Sequence, residues 1–371
     1  TERLDYDRIH ALALQHRPRV IVAGFTSYPW APDWRAFRAI ADEVGAYLMA
    51  DIAHAAGMAA ARVYPSPVGI ADVTTFTTHK TICGPRGAVI VTTDESLAQT
   101  IDMAVFPGQQ GGPHVNKFAA MAVAFGLAQT EQFRKLQQQI AANAQALAAA
   151  LQAQGLRLAY GGTDTHLLLI DLKSLGARDG FPLWGEPAVR ILDLAGIVAN
   201  KNTIPGDSET SLATGIRLGT PWVTQRGLVE ADMETLAGVI YRLLSQIRPF
   251  AYHGLAGTLP RGKAPLPALE AAQRDVAELA AKAGIDFAPA PSECAPSEGL
   301  LALRISGARA RQFLQGAATA DLAPLSPGDA AAGCLLDDRG RLIDEVTIER
   351  EPSDGWGQSR YLLHGSGRER L

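Results

Sequence analysis

The chain has 371 residues, 47% of them hydrophobic and 19% charged, with a formal net charge of −4. That balance is ordinary for globular protein and offers no broad cationic field for nucleic acid or anionic lipid. No apolar run approaches the roughly 18 residues of a membrane span and no signal-peptide pattern opens the chain, and three scattered cysteines, Cys83, Cys294 and Cys334, lack metal-ligand spacing and fit a reducing compartment.

Residues 19–25 form a short apolar run that predicts a buried strand ending near Gly24. Over 33–44, Trp34, Phe37, Ile40 and Ala41 recur at helical spacing. A strand at 47–51, a short helix near 54–61, and strands at 73–76 and 87–92 follow. Strands alternating with helices predict a mostly parallel sheet with crossover helices. Residues 114–155 are rich in alanine and glutamine and read as long connecting helices. Strands at 166–172 and 197–199, a helix at about 186–195 and a helix over 230–247 predict a second, smaller α+β unit. Pro, Gly and Ser then dominate 248–265 and 288–298 around one helical stretch at 267–284, which reads as tail and linker. From residue 299 a new unit begins, with strands near 300–307, 331–336 and 342–349, a helix around Phe313, and a turn at 337–341.

Two strand ends carry chemistry. Thr77-Thr78-His79-Lys80-Thr81, followed by Gly84-Pro85-Arg86-Gly87, sets a lysine among hydroxyls and beside an imidazole. Such a lysine can form an imine with an aldehyde cofactor. Asp51 closes the run 47–51, with His54 and Gly57 just after it, 29 residues before Lys80 (80 − 51). An acid that keeps a pyridine nitrogen protonated and an amine that holds an aldehyde are what pyridoxal phosphate needs. Ligands of parallel sheets sit at the carboxyl ends of strands, where both residues fall. The glycine-rich loop 106–113 can offer bare amides to phosphate. Arg217 has the planar fork that grips a carboxylate, and Asn202 has both a donor and an acceptor. Cys83 reads as a small buried side chain.

These blocks resemble the serine hydroxymethyltransferase family of fold-type-I pyridoxal-phosphate enzymes, whose signature is T-T-H-K-T followed by G-P-R-G. The resemblance runs from residue 1 to about 252, with a weaker echo over 266–285. It implies a partial large domain with a mostly parallel sheet at 1–113, connecting helices at 114–155, a small α+β domain at 156–250, and a tail and linker at 251–298. It further implies that the family's N-terminal part is absent from this chain, so that the chain alone is weakly active or inactive. The implied activity is transfer of the serine hydroxymethyl carbon to tetrahydrofolate, giving glycine, in the cytoplasm.

By the same resemblance, Lys80 holds the cofactor, Asp51 faces its ring nitrogen, His54 of the D-x-x-H pattern lies beside the ring, and Thr26 contacts it. His79 relays protons or holds the phosphate, and Thr77 lies near the imine. Arg217, within G-I-R-x-G-T-P, takes the substrate carboxylate with Arg86 as helper, and Asn202 of N-K-N reads the pteridine edge. Gly111 and Gly112 serve the partner's cofactor, implying an obligate homodimer with shared sites. No metal is implied. The alternatives are another fold-type-I enzyme, such as a threonine aldolase, or a non-catalytic folate-binding module. Residues 299–371, with phrases such as ISGARARQFLQG and LLDDRGRLIDEVTI, are similar to the start of the aminomethyltransferase (glycine-cleavage T-protein) folate-binding family. That likeness makes Asp344 and Glu345 folate candidates and implies a unit that continues beyond residue 371.

Overall fold

The computed structural model describes residues 2–254, 257–282, 301–307, 310–336, 342–353 and 358–365. The chain divides into two units, Thr1–Asp286 and Phe287–Leu371.

In the first unit, α1 (Tyr6–His16) leads into β1 (Val20–Gly24), α2 (Trp34–Val44), β2 (Tyr47–Asp51), α3 (Ala56–Ala60), β3 (Val73–Thr77) and β4 (Ala88–Val91). The four strands form one sheet in the order β1-β2-β3-β4, parallel as far as β3, with β4 antiparallel to it. The start of α2 is fixed by Asp33, whose carboxylate accepts from the backbone N–H of Arg35 and Ala36 at 2.9 and 3.0 Å. Its end is set by Gly45 in the left-handed region at φ 68°. Between these stops Trp34, Phe37, Ile40 and Ala41 bury the expected stripe. The run expected to be a buried strand is instead the sheet's edge. Among the described residues β1 pairs only with β2, and Val20 and Val22 are 46% and 62% exposed.

Next come α4 (Glu95–Met103), α5 (Val115–Ala128) and α6 (Glu131–Ala153). Helix α6 begins at Thr130, whose hydroxyl accepts from the Phe133 N–H. Its buried seam, Phe133, Gln137, Ile140, Ala144, Leu147 and Leu151, follows the three-and-four spacing. Two polar residues on α6 are fully buried, Gln137 and Asn143. Each is spent on a backbone carbonyl: Gln137 on Thr81 at 2.9 Å and Asn143 on Leu228 at 2.8 Å. A buried amide that finds such partners fixes register as well as adding stability.

The second sheet of this unit is wholly antiparallel, in the order β5-β6-β8-β7, from β5 (Arg157–Leu158), β6 (Leu167–Asp171), β7 (Asn200–Asn202) and β8 (Gly215–Gly219). Helices α7 (Gly185–Leu194), α8 (Pro221–Gln225) and α9 (Glu230–Leu244) complete the layer. The strand expected at 197–199 begins three residues later, because the ladder partner of Asn200–Asn202 is Gly215–Arg217. The stretch read as tail and linker carries an antiparallel hairpin, β9 (Arg248–Gly254) with β10 (Gly257–Lys263), and a helix, α10 (Leu266–Lys282). Ala272 of α10 is buried in the same core as Leu243, Leu244 and Ile247, so this stretch is part of the packed unit.

In the second unit, β11 (Leu301–Ser306), α11 (Ala310–Ala317), β12 (Ala330–Leu336), β13 (Leu342–Glu351) and β14 (Arg360–Gly365) give an antiparallel sheet in the order β11-β14-β13-β12. Leu314, Leu322, Val346, Ile348 and Tyr361 share its core. The expected turn at 337–341 lies outside the described residues. No helix among the described residues is long and apolar enough to cross a membrane.

Candidate active site

The carboxyl ends of β1, β2 and β3 lie side by side: Gly24 pairs with Asp51, and Asp51 with Thr75. Three loops therefore leave the same edge, carrying Thr26, His54 and Lys80. Gly24 is required there, since a Cβ on it would fall 2.5 Å from the Asp51 Cβ. The Asp51 carboxylate accepts from the Ala53 N–H at 2.9 Å through Oδ1, which holds the loop that leads to His54.

The 51–57 and 77–81 segments are stitched together. The Thr77 hydroxyl donates to the Ala53 carbonyl at 3.3 Å. The Thr81 hydroxyl donates to the His54 carbonyl and accepts from the Gly57 N–H, both at 2.9 Å. Behind them Gln137 of α6 grips the Thr81 carbonyl. The turn after Lys80 is closed by the Cys83 N–H to the Lys80 carbonyl at 2.9 Å and the Thr78 hydroxyl to the Pro85 carbonyl at 2.5 Å. Thr81 and Gln137, which hold this frame, were not among the residues expected from sequence. Their signal is a threonine directly after the lysine and a glutamine within an apolar helical stripe.

The small-domain sheet reaches the same place. Arg217 Nη1 donates to the Thr26 carbonyl at 2.7 Å and Nη2 to the Asn200 side chain at 3.4 Å. Next to it the Ser27 hydroxyl donates to Asn202 Oδ1 at 2.8 Å, while Asn202 Nδ2 donates to the Thr203 carbonyl at 2.7 Å. His54 stacks on His166, a residue that sequence reasoning missed, with ring centroids 5.6 Å apart and planes 19° from parallel.

The charges confirm the convergence. The His54 imidazole is pushed down to about 4, first by burial and then by the positive charges of Lys80 and Arg217. His166 is pushed down to about 3 by burial, then by His54, Arg217 and Lys80. Burial also lowers Arg217. Both imidazoles are therefore neutral at pH 7, while one carboxylate and two cations stand around them. Such a set suits a ligand bearing net negative charge.

The structure thus gathers Asp51, His54, Thr26, Thr77, Lys80, Arg217 and Asn202. His79 is half-buried, and its Nδ1 has no hydrogen-bond partner among the described residues. Arg86 is exposed, and no described hydrogen bond or ion pair ties it to the others. Gly111 and Gly112 lie on an exposed loop with open space where a Cβ would stand. Cys83 is exposed rather than buried, at φ 62°, with Sγ 2.8 Å from Gln225 Nε2. In the second unit Glu345 is exposed on β13 opposite Cys334, and the Asp344 side chain lies outside the described set. Among the described residues no group of three or more His, Cys, Asp or Glu could hold a metal ion.

The residues fit pyridoxal phosphate. An amine and a carboxylate lie at or just beyond the ends of neighbouring parallel strands, an uncharged imidazole, His54, shares their loops, and a guanidinium completes the set. The serine hydroxymethyltransferase family model matches residues 1–240. The chain is 52% identical over 254 residues to a serine hydroxymethyltransferase of Synechococcus sp. (strain JA-3-3Ab), covering 66% of this chain and 58% of that protein. It is 49% identical over 241 residues to one from Rippkaea orientalis (strain PCC 8801 / RF-1), covering 65% and 55%. It spans less than two thirds of the length of these relatives, and by the match over its first 240 residues the chain belongs to the serine hydroxymethyltransferase family.

Proposed function

We propose that the parent protein is a pyridoxal-phosphate-dependent serine hydroxymethyltransferase, passing the serine hydroxymethyl carbon to tetrahydrofolate and leaving glycine. The observation that carries this reading is that the Lys80 loop, tied to the His54 carbonyl by the Thr81 hydroxyl, and Arg217, bonded to the Thr26 carbonyl, meet at one sheet edge. When bound, pyridoxal phosphate supplies an aldehyde for an amine and a ring that accepts the electron pair of a bond broken at Cα. Lys80 would hold the aldehyde, and Asp51 would keep a proton on the ring nitrogen. His54 can share a hydrogen bond without adding charge. Arg217 spends two of its five N–H donors on Thr26 and Asn200, which leaves three for a substrate carboxylate. Orienting the amino acid by its carboxylate selects which bond at Cα is broken. His79 would move a proton or hold the cofactor phosphate, and Thr77 would lie near the Lys80 amine.

The proposal extends to a homodimer in which Gly111 and Gly112 reach the partner's site, with Arg86 at the substrate end and Asn202 reading the folate. An exposed apolar strip supports the dimer: Met103, Phe106, Val115, Phe118, Val123 and Leu127 are each more than half exposed. It also extends to a domain division at about residues 113 and 155 and to a second unit of aminomethyltransferase type, with Asp344 and Glu345 as its folate-side acids. The test is an absorbance titration of the chain with pyridoxal phosphate, followed by glycine and tetrahydrofolate. A lysine-bound chromophore that is absent in Lys80→Ala supports the reading. An identical spectrum in Lys80→Ala refutes it, and serine cleavage indifferent to folate would favour an aldolase.

A further inference from the structure

His166 is 7% exposed, and its Nδ1 has no hydrogen-bond partner among the described residues. A buried ring nitrogen without a partner costs stability, so another apolar side chain would serve packing better. The position is rigidly built. The His166 carbonyl accepts from the Thr220 N–H at 3.0 Å, and the Thr220 hydroxyl donates to the Ile140 carbonyl at 2.8 Å. Thr220 lies three residues beyond Arg217. On the other side, the Thr163 hydroxyl and the Asp164 N–H both donate to the Pro29 carbonyl at 3.1 Å. His166 is thereby locked to the segment bearing Arg217 and to the loop bearing Thr26, while its ring lies flat against His54.

We propose that His166 is a positioning residue: it backs the His54 imidazole with a fixed ring and ties the orientation of His54 to the strand that carries Arg217. Aromatic rings at this separation prefer defined offset geometries, which an aliphatic side chain would not impose. The cavity shared by the two rings measures about 20 Å3 and is lined also by Phe25, Tyr28, Asp51 and Tyr64. That is room for about one water, so the His166 ring covers one side of the half-buried His54. The charged and titratable groups facing His54 are Asp51 and Tyr64 on the large-domain side with Tyr28, Lys80 from the loop after β3, and Arg217 and His166 from the small domain. A neutral His54 keeps one ring nitrogen as donor and the other as acceptor. The functional consequence rests on the pyridoxal-phosphate reading, whereas the effect of one ring on the other does not.

The experiment uses the full chain with His166→Phe and His166→Ala. Ring signals of His54 are followed by NMR against pH without cofactor, and pyridoxal phosphate binding is followed by absorbance. His166→Phe keeps a flat ring and leaves the His54 midpoint unchanged. His166→Ala lets water in and raises that midpoint by about one pH unit or more. It also weakens cofactor binding about tenfold or more, which His166→Phe restores. Should His166→Ala not fold, His166→Asn removes the ring and is read in the same way. A His54 titration unmoved in the ring-less variant, whatever happens to the melting temperature, overturns the proposal. A shifted His54 in a chain whose wild type takes up no pyridoxal phosphate upholds the positioning and defeats the cofactor reading instead.

Discussion

Gly57→Ala tests how the site is held together. A Cβ at residue 57 would stand 2.1 Å from the Thr81 carbonyl oxygen, 2.4 Å from its carbonyl carbon and 2.9 Å from its Cβ. Two of these atoms are backbone, so no side-chain rotation relieves the overlap. Restoring ordinary contact requires α3 and the Lys80 loop to part by about 1 Å, and overpacking of this kind costs roughly 1–3 kcal/mol. Parting them also stretches the bond from the Gly57 N–H to the Thr81 hydroxyl, worth about 1 kcal/mol. A total of roughly 2–4 kcal/mol lowers the melting temperature by roughly 3–8 °C in a unit of this size. Gly126→Ala is the control. Gly126 is exposed on α5 with nothing within 4 Å of its added methyl, so helix propensity alone acts and stabilises by about 0.5–1 kcal/mol. Thermal unfolding followed by circular dichroism reads both. If Gly57→Ala melts like wild type, the close seam between the Asp51 and Lys80 loops is wrong, and with it the geometry argued for the site.

Arg217→Lys replaces a fork with a point charge; losing one charge-assisted hydrogen bond, about 1.5–3 kcal/mol, weakens glycine binding about tenfold or more, read from the glycine-induced spectral change, and an unchanged affinity removes Arg217 as the carboxylate grip. His166 is depressed in the folded state, so its neutral form contributes stability that is full above about pH 6.5 and is lost as pH falls toward about 3, where the unfolded chain takes up a proton the native one refuses. His166→Phe removes that contribution, so unfolding free energies from urea melts at pH 7 and pH 4 should differ less in the variant than in wild type by roughly 3 kcal/mol; equal differences mean His166 is not held neutral. Tyr361 is fully buried with its hydroxyl unpartnered among the described residues, so Tyr361→Phe removes a desolvated group and raises the stability of the second unit by roughly 1–3 kcal/mol; calorimetry showing a fall would mean that the hydroxyl is bonded.

What the sequence made legible was local. The stripe of Trp34, Phe37, Ile40 and Ala41 with Asp33 before it and Gly45 after it contains its own start, face and stop, and α2 follows it. The strand 47–51 and its terminal acid were readable for the same reason. What failed was set by partners. Residues 19–25 are apolar throughout, yet a continuous apolar run cannot say whether a strand is central or at an edge, and β1 lies at the edge. Ile197, Val198 and Ala199 favour extended structure, but the ladder with β8 starts at Asn200. Pro249, Pro260 and the glycines of 248–265 resemble a linker, yet they pair as a hairpin.

The site divides along the same line. Lys80, Asp51 and Arg217 were readable because each lies in a compact block whose neighbours are also special. His166 lies 112 residues after His54 (166 − 54), at the head of an ordinary apolar strand, with no spacing to join them. The bonds that bring the pair together all end on backbone carbonyls: the Thr220 N–H on His166, the Arg217 guanidinium on Thr26 and the Thr81 hydroxyl on His54. Carbonyls are the same in every residue, so a site assembled through them leaves little trace in side-chain identity at its accepting ends. The donors are the readable half. Arg217 within β8, Thr220 directly after it and Thr81 in the loop beyond β3 make these bonds, and the chemistry-bearing side chains are carried to one place as a consequence.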